Sequence, residues 1–134
     1  MNIKFYLRMI GPENAIRAFN DDAAWAQSTI KPLRRGVEWP PKEGTEPSWS
    51  WQTRLVEAGL DSFETTFAEF LQQCGSLAQK IARHRKTLTW ASCVIVEECE
   101  DSELPSGLHF SPDMIEAMQR LGVDLDIDIV RALH

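Results

Sequence analysis

The segment SPDMIEAMQRLGVDLDIDIV, residues 111–130, carries a complete helix-to-strand signal and decides the fold class. Ser111 and Pro112 are typical of a helix N-cap and first turn, and Gly122 is typical of the residue that follows a helix end. Between them, apolar residues recur at the spacing of one buried stripe: Met114, Ile115, Met118 and Leu121. From residue 123 the apolar period becomes two, at Val123, Leu125, Ile127 and Ile129. The segment predicts a capped helix followed by a strand that buries one face.

Three aspartates, Asp124, Asp126 and Asp128, alternate with the apolar residues of this strand. A calcium loop of the DxDxDG type needs polar, turn-forming residues between its acids, whereas here Leu125 and Ile127 fill the gaps, so no metal site is predicted. The row is then either the solvated side of a half-buried strand or an acidic surface that docks a basic partner.

The solvated-strand interpretation requires positive charge nearby, because like charges on one ladder repel. Residues 3–10 predict a first strand in which Lys4, Tyr6 and Arg8 alternate with apolar side chains. If the last strand lies beside the first, as in the split βαβ plan, Lys4 and Arg8 would lie opposite the aspartates, with Arg54 one strand further away.

The middle of the chain predicts one helix, two strands and a loop. A short helix follows Pro12, and a strand over 28–34 is confined to a sheet edge by Pro32. Residues 35–47 are rich in Gly, Pro and Glu and predict a long exposed hairpin loop. The next strand, over 49–55, directs its bulky residues inward: Trp49, Trp51, Thr53 and Leu55.

The main helix is predicted to begin at a capping box formed by Asp61 and Glu64. Its apolar stripe consists of Phe63, Phe67, Phe70, Leu71 and Cys74. The helix breaks at Gly75 and resumes to about Arg85. Residues 88–96 are apolar on both faces, as in a central strand, and 108–110 form a short strand or an extended connection.

These elements predict a single domain over residues 1–134 of the α+β class. The sheet is expected to be mostly antiparallel with helices packed on one face, as a split-βαβ or ferredoxin-like variant. The second face of the sheet would remain open.

The composition excludes several classes of function. The formal net charge of −6 disfavours nucleic acid, which needs clustered Lys and Arg. Cys74, Cys93 and Cys99 form no CxxC pair, which indicates reduced thiols in a cytoplasmic protein. The sequence shows no signal-peptide or membrane-span pattern, which also favours a cytoplasmic protein. The nucleotide and zinc motifs GxGxxG, GxxxxGK[ST] and HExxH are absent too, so we expect no cofactor and no enzymatic activity.

Aromatic and histidine residues supply the remaining candidates. Trp49, Trp51 and Trp90 occupy strand positions suited to the core, whereas Trp39 lies beside two prolines in the polar loop and is predicted to contact a partner. His84, in a basic helix end, is expected at the surface. His109 could line a pocket near Trp90.

Residues 107–130, GLHFSPDMIEAMQRLGVDLDIDIV, resemble the C-terminal signature of the DUF4279 family of bacterial proteins. The opening LRMIG and the segment from Gly36 to Trp51 are compatible with the first half of that family. The resemblance implies the fold and no catalytic residues. Some similar proteins are associated with bacterial toxin and immunity modules, which by analogy implies an immunity protein.

The sequence thus predicts a non-enzymatic binding protein, monomeric or homodimeric, with a protein partner, which in the specific version of this prediction is a basic toxin. Its contact residues are predicted to be Asp124, Asp126, Asp128 and Trp39. The alternative is a small-ligand-binding or enzymatic domain with a pocket between the helices and the sheet.

Overall fold

The computed structural model describes residues 2–33, 47–100 and 107–131. Its elements in chain order are β1 (Asn2–Pro12), α1 (Glu13–Ala23), β2 (Thr29–Pro32), β3 (Ser48–Gln52), β4 (Val56–Gly59), α2 (Phe63–Gln73), α3 (Ala78–His84), β5 (Trp90–Cys99), α4 (Pro112–Leu121) and β6 (Asp124–Arg131). Single turns of 3₁₀ helix, Leu60–Ser62 and Cys74–Leu77, precede α2 and α3.

The strands form one sheet in the order β2-β3-β1-β5-β6, and β4 pairs with the start of β1. Every pair is antiparallel except β5 with β6. The α+β class and the mostly antiparallel sheet are therefore confirmed. The expected position of the last strand beside the first is wrong, because the crossover through α4 places β6 parallel to β5, and β5 separates it from β1.

The two faces of the sheet differ in character. On the helix face, β1 contributes Ile3, Phe5, Leu7 and Met9 to the core that the helices share. On the opposite face, which we call the polar face, β1 contributes Lys4, Tyr6 and Arg8, all only partly buried. The strand residues of the core cluster all come from the helix face, so the helices pack on one side of the sheet, as predicted.

Phenylalanine rings join α2 to the sheet. The Phe5 ring contacts those of Phe63, Phe67 and Phe70 edge-on, with centroids 5.1–5.9 Å apart. Phe110, in the extended connection before α4, contacts Phe63 and Phe67 at 6.0 Å. This cluster explains the helical spacing of the α2 phenylalanines, since each ring must reach the same side of the helix.

Thr53 holds β1 where its partner changes from β3 to β4. The Thr53 N–H donates to the carbonyl oxygen of Leu7, and the Thr53 Oγ1 accepts from the Leu7 N–H, both at 3.0 Å. The side chain thus replaces a backbone acceptor at an interruption between the two strands.

Thr53→Val is expected to lower the free energy of unfolding by about 1–3 kcal/mol, because it leaves the buried Leu7 N–H without an acceptor. Chemical denaturation measures the change. Thr53→Ser keeps the oxygen and should retain most of the stability, whereas a valine variant as stable as the wild type would show that this bond contributes nothing.

The local signals at α4 are confirmed and those at α2 are not. The Ser111 Oγ accepts a hydrogen bond from the Met114 N–H at 3.3 Å, and Gly122 ends α4 with a φ of 73°. The proposed capping box is wrong, because a 3₁₀ turn occupies Leu60–Ser62 and α2 begins at Phe63 without a side-chain cap. The sequence pattern also missed β4 as a separate strand.

Three predicted core positions are corrected. Trp90 is 38% exposed, because strand alternation places it on the polar face at the start of β5. Ile115 is 54% exposed, beyond the buried stripe of Met114, Met118 and Leu121. Leu55 is 38% exposed and follows the end of β3.

Candidate functional site

β6 is the last strand of the sheet, and its outer edge has no strand partner within residues 2–33, 47–100 and 107–131. Alternation gives it one acidic and one apolar row. Asp124, Asp126 and Asp128 lie on the polar face, in register with Ser92, Val94 and Val96 of β5. Leu125, Ile127 and Ile129 lie on the helix face.

The acidic row is only partly neutralised. Arg8 reaches across β5, and its Nη2 lies 3.7 Å from the Asp126 Oδ2. Lys4 instead binds Glu98 at 2.7 Å and lies 4.0 Å from Glu57. In the described part of the chain no ion pair involves Asp124 or Asp128. The predicted compensation is thus right for Arg8 and wrong for Lys4, because β5 lies between β1 and β6 and supplies Glu98 to the lysine.

Tyr6 lies on the same face as this row, with Val94 of β5 between it and Asp126. Burial raises the pKa of the Tyr6 hydroxyl, Arg8 opposes the rise, and Asp128 and Asp126 add to it. The phenol therefore stays neutral at physiological pH and offers a hydrogen-bond donor on the polar face.

The apolar row of β6 is uncovered, which corrects the expected burial of this face. Leu125 is 41% exposed, Ile127 42% and Ile129 53%. The core cluster shared by the helices includes Ala91, Cys93 and Ile95 of β5 but nothing from β6. The helices therefore cover the sheet only as far as β5 on this side.

Glu97 is a buried carboxyl next to the uncovered row. It lies on the helix face of β5, in register with Ile129 of β6 and Ile3 of β1. Its residue exposure is 3%, and in the described chain its Oε1 has no hydrogen-bond partner. Burial raises the pKa of Glu97 because the charged form loses its hydration.

Glu97→Gln is expected to raise the free energy of unfolding at pH 7 by about 1 kcal/mol, because glutamine is neutral at every pH. With a folded pKa above the unfolded value of 4.5, Glu97 disfavours folding as the pH rises through the folded pKa. The gain should therefore vanish below the unfolded pKa. Urea denaturation at pH 4 and pH 7 measures it.

Glu98→Gln is the matched control, since it changes the neighbouring carboxyl on the polar face. The hydrogen bond from Lys4 lowers the pKa of Glu98, so this variant should lose stability at pH 7. A glutamine variant at 97 that also loses stability would contradict the assignment of Glu97 as an uncompensated buried group.

The other predicted candidates are Trp39, His109 and a pocket between the helices and the sheet. Trp39 and most of its loop lie outside the described residues. His109 is exposed, and its Nε2 lies 3.9 Å from the Oε1 of Glu64 at the start of α2.

A cavity of about 580 Å³ lies between α2, α3 and α4, and neither His109 nor Trp90 lines it. Its walls include Leu71, Gly75, Met114 and Ala117, with Asp113 and Arg120 among its charged residues. A second cavity, whose walls include Trp25, Arg54 and Phe70, is not lined by His109 or Trp90 either, and a pocket near these two residues stays a prediction.

Sequence reasoning missed one polar cluster. The His84 Nε2 lies 2.8 Å from the Asp22 Oδ2, and Arg83 donates to both oxygens of the same carboxylate. The His84 side chain is 17% exposed and packs edge-on against Phe19, so the predicted surface position is wrong. The hydrogen bond from His84 is the main reason that the pKa of Asp22 is lowered, with Arg83 adding to the effect. The cluster joins the ends of α1 and α3, and no local pattern relates these positions.

Cys74 and Cys93 are buried, and burial raises the pKa of each thiol to about 12. They are therefore protonated and weakly nucleophilic.

Across the described ranges, no group of three or more His, Cys, Asp and Glu side chains is arranged to hold a metal ion. None of the described helices is long and apolar enough to cross a membrane.

Comparison with known proteins identifies a family. No curated protein and no solved structure matches the chain. A model of the family described as "Domain of unknown function (DUF4279)" matches residues 19–131, which contain the end of α1, α2 to α4, β2 to β6 and the acidic row. The match confirms the resemblance that the α4–β6 segment indicates, and it covers most of the chain. This chain therefore belongs to the DUF4279 family.

Proposed function

We propose that this chain is a non-enzymatic, cytoplasmic binding protein that docks a basic protein partner on β6 and the adjoining polar face. The specific version of the proposal is immunity, in which the chain neutralises a cognate bacterial toxin by binding it. Trp39 remains a predicted second contact.

The observation that carries the proposal is the acidic row at the free edge of the sheet. Asp124, Asp126 and Asp128 are exposed or partly exposed, and Arg8 is their one ion-pair partner in the described residues. Uncompensated charge of one sign destabilises the strand that carries it. Opposite charge on a partner would remove the repulsion and speed the encounter.

Charge and site chemistry favour a binding role over catalysis. The chain has a formal net charge of −6, which attracts basic proteins. The buried thiols are weak nucleophiles, and the His84–Asp22 pair links two helices beside Phe19. The toxin-immunity version rests in addition on the analogy with similar proteins.

Affinity capture from the host lysate tests the proposal, with three baits whose folding is first verified by thermal unfolding. The baits are the wild type, a variant with Asp124→Asn, Asp126→Asn and Asp128→Asn, and a matched control with Asp21→Asn, Asp61→Asn and Glu69→Gln. The control removes as much charge from exposed helix and turn positions.

A basic protein retained by the wild type and the control, and lost by the β6 variant, is the expected result. If all three baits retain the same proteins, the acidic row is not the contact surface. If the wild type retains nothing, the binding proposal fails.

A further inference from the structure

The free edge of β6 combines properties that the opposite edge of the sheet lacks. β2 forms that opposite edge, and it is short, Thr29–Pro32, with Lys31 and Pro32 in its sequence. Short length, lysine and proline are the usual means by which edge strands avoid pairing with other chains. β6 is longer, Asp124–Arg131, and its segment 124–130 contains neither lysine nor proline.

The two rows of β6 specify what a further strand would carry. Neighbouring strands place their side chains on the same two faces, so a strand added beside β6 would set one row against the aspartates and the other beside Leu125, Ile127 and Ile129. Basic residues on the first row and apolar residues on the second would match both. The apolar row, which the helices leave exposed, would then gain apolar neighbours on the same face.

A second copy of this chain does not fit as an antiparallel neighbour. Two β6 strands related by a twofold axis perpendicular to the sheet would bring their acidic rows onto the same face, side by side. Like charges in adjacent positions are destabilising. The aspartates thus disfavour self-pairing and favour a basic strand.

We propose that β6 takes up one more strand from its partner, a segment in which basic and apolar residues alternate, by backbone hydrogen bonding at its free edge. The inference rests on the proposed function and adds the mode of binding and the sequence pattern of the partner segment. Backbone hydrogen bonds would supply affinity, and the two rows would supply register and specificity.

The test uses the full chain and two end-capped peptides as long as segment 124–130. One peptide alternates lysine and valine, starting and ending with lysine. The other has the same composition with its lysines grouped before its valines, so both carry the same charge. Strand addition predicts at least about tenfold tighter binding of the alternating peptide, and slower amide hydrogen exchange in segment 124–130 when it is bound.

Two protein variants test whether the preference for the alternating peptide depends on the apolar row of β6. Ile127→Lys places a charge in the apolar row of β6 and should abolish the preference for the alternating peptide. Ile115→Lys makes the same change at an exposed position of α4 and should keep it.

The outcomes separate this inference from the proposed function. Equal binding of both peptides, lost with the three Asp→Asn changes, would overturn strand addition and leave the acidic docking surface intact. Binding of neither peptide, or binding of the alternating peptide without slower exchange in β6, would also overturn strand addition, and lysate capture would still decide the proposed function.

Discussion

Reversing the charge of the acidic row, by Asp124→Lys, Asp126→Lys and Asp128→Lys, is expected to weaken binding of the captured partner by more than about 100-fold. Like charges brought together at an interface cost several kcal/mol, and each 1.4 kcal/mol or so is a factor of ten in affinity. In this variant the side chain at 126 would also face Arg8, whose Nη2 lies 3.7 Å from Asp126 in the wild type. The attraction between this row and a basic partner would become repulsion at all three positions.

Surface plasmon resonance at low and high salt measures this effect. The loss should lie partly in the association rate and should shrink as salt rises, because exposed charges are screened beyond about 10 Å at 0.1 M ionic strength. The matched control is Asp21→Lys, Asp61→Lys and Glu69→Lys, which produces the same net charge. Equal weakening by both variants would assign the effect to overall charge and contradict a contact at β6.

Phe67→Ala is expected to lower the free energy of unfolding by about 3–5 kcal/mol, a large part of the stability of a small protein. Phe67 is fully buried, and its ring contacts those of Phe5, Phe63, Phe70 and Phe110, with centroids 5.1–6.4 Å apart. Alanine would remove contacts with β1 and with the connection to α4 together. Because β1 is paired with neighbouring strands along both edges, it limits how far the surroundings can collapse into the space.

Chemical denaturation with unchanged m-values measures the loss. Phe67→Leu keeps most of the volume and should cost clearly less, and Leu60→Ala, at a position 43% exposed, should change stability by no more than about 0.5 kcal/mol. A loss below about 1.5 kcal/mol for Phe67→Ala would contradict the packing of this ring at the centre of the core.

Local sequence signals predicted those elements whose ends and apolar spacing are set by residues only a few positions apart. The Ser111 cap, the Gly122 end and the change of period at residue 123 identified α4 and β6, because capping and amphipathic spacing act over one or two turns. The same reasoning failed at Asp61, where a 3₁₀ turn delays the helix, and at 56–59, where a separate strand pairs with the start of β1.

For the candidate site, alternation in the sequence determined that Asp124, Asp126 and Asp128 share one face and that Leu125, Ile127 and Ile129 share the other. Whether each face is covered depends on where β6 lies in the sheet, and the sequence pattern does not determine the order of the strands. The parallel crossover through α4 places β6 at the edge beside β5, so the apolar row lies outside the helix-covered core and Lys4 pairs with Glu98 instead of an aspartate. The burial of Glu97 and the contact between Asp22 and His84 are likewise decided by residues far apart in the chain, because burial and ion pairing depend on distances that only the folded chain establishes.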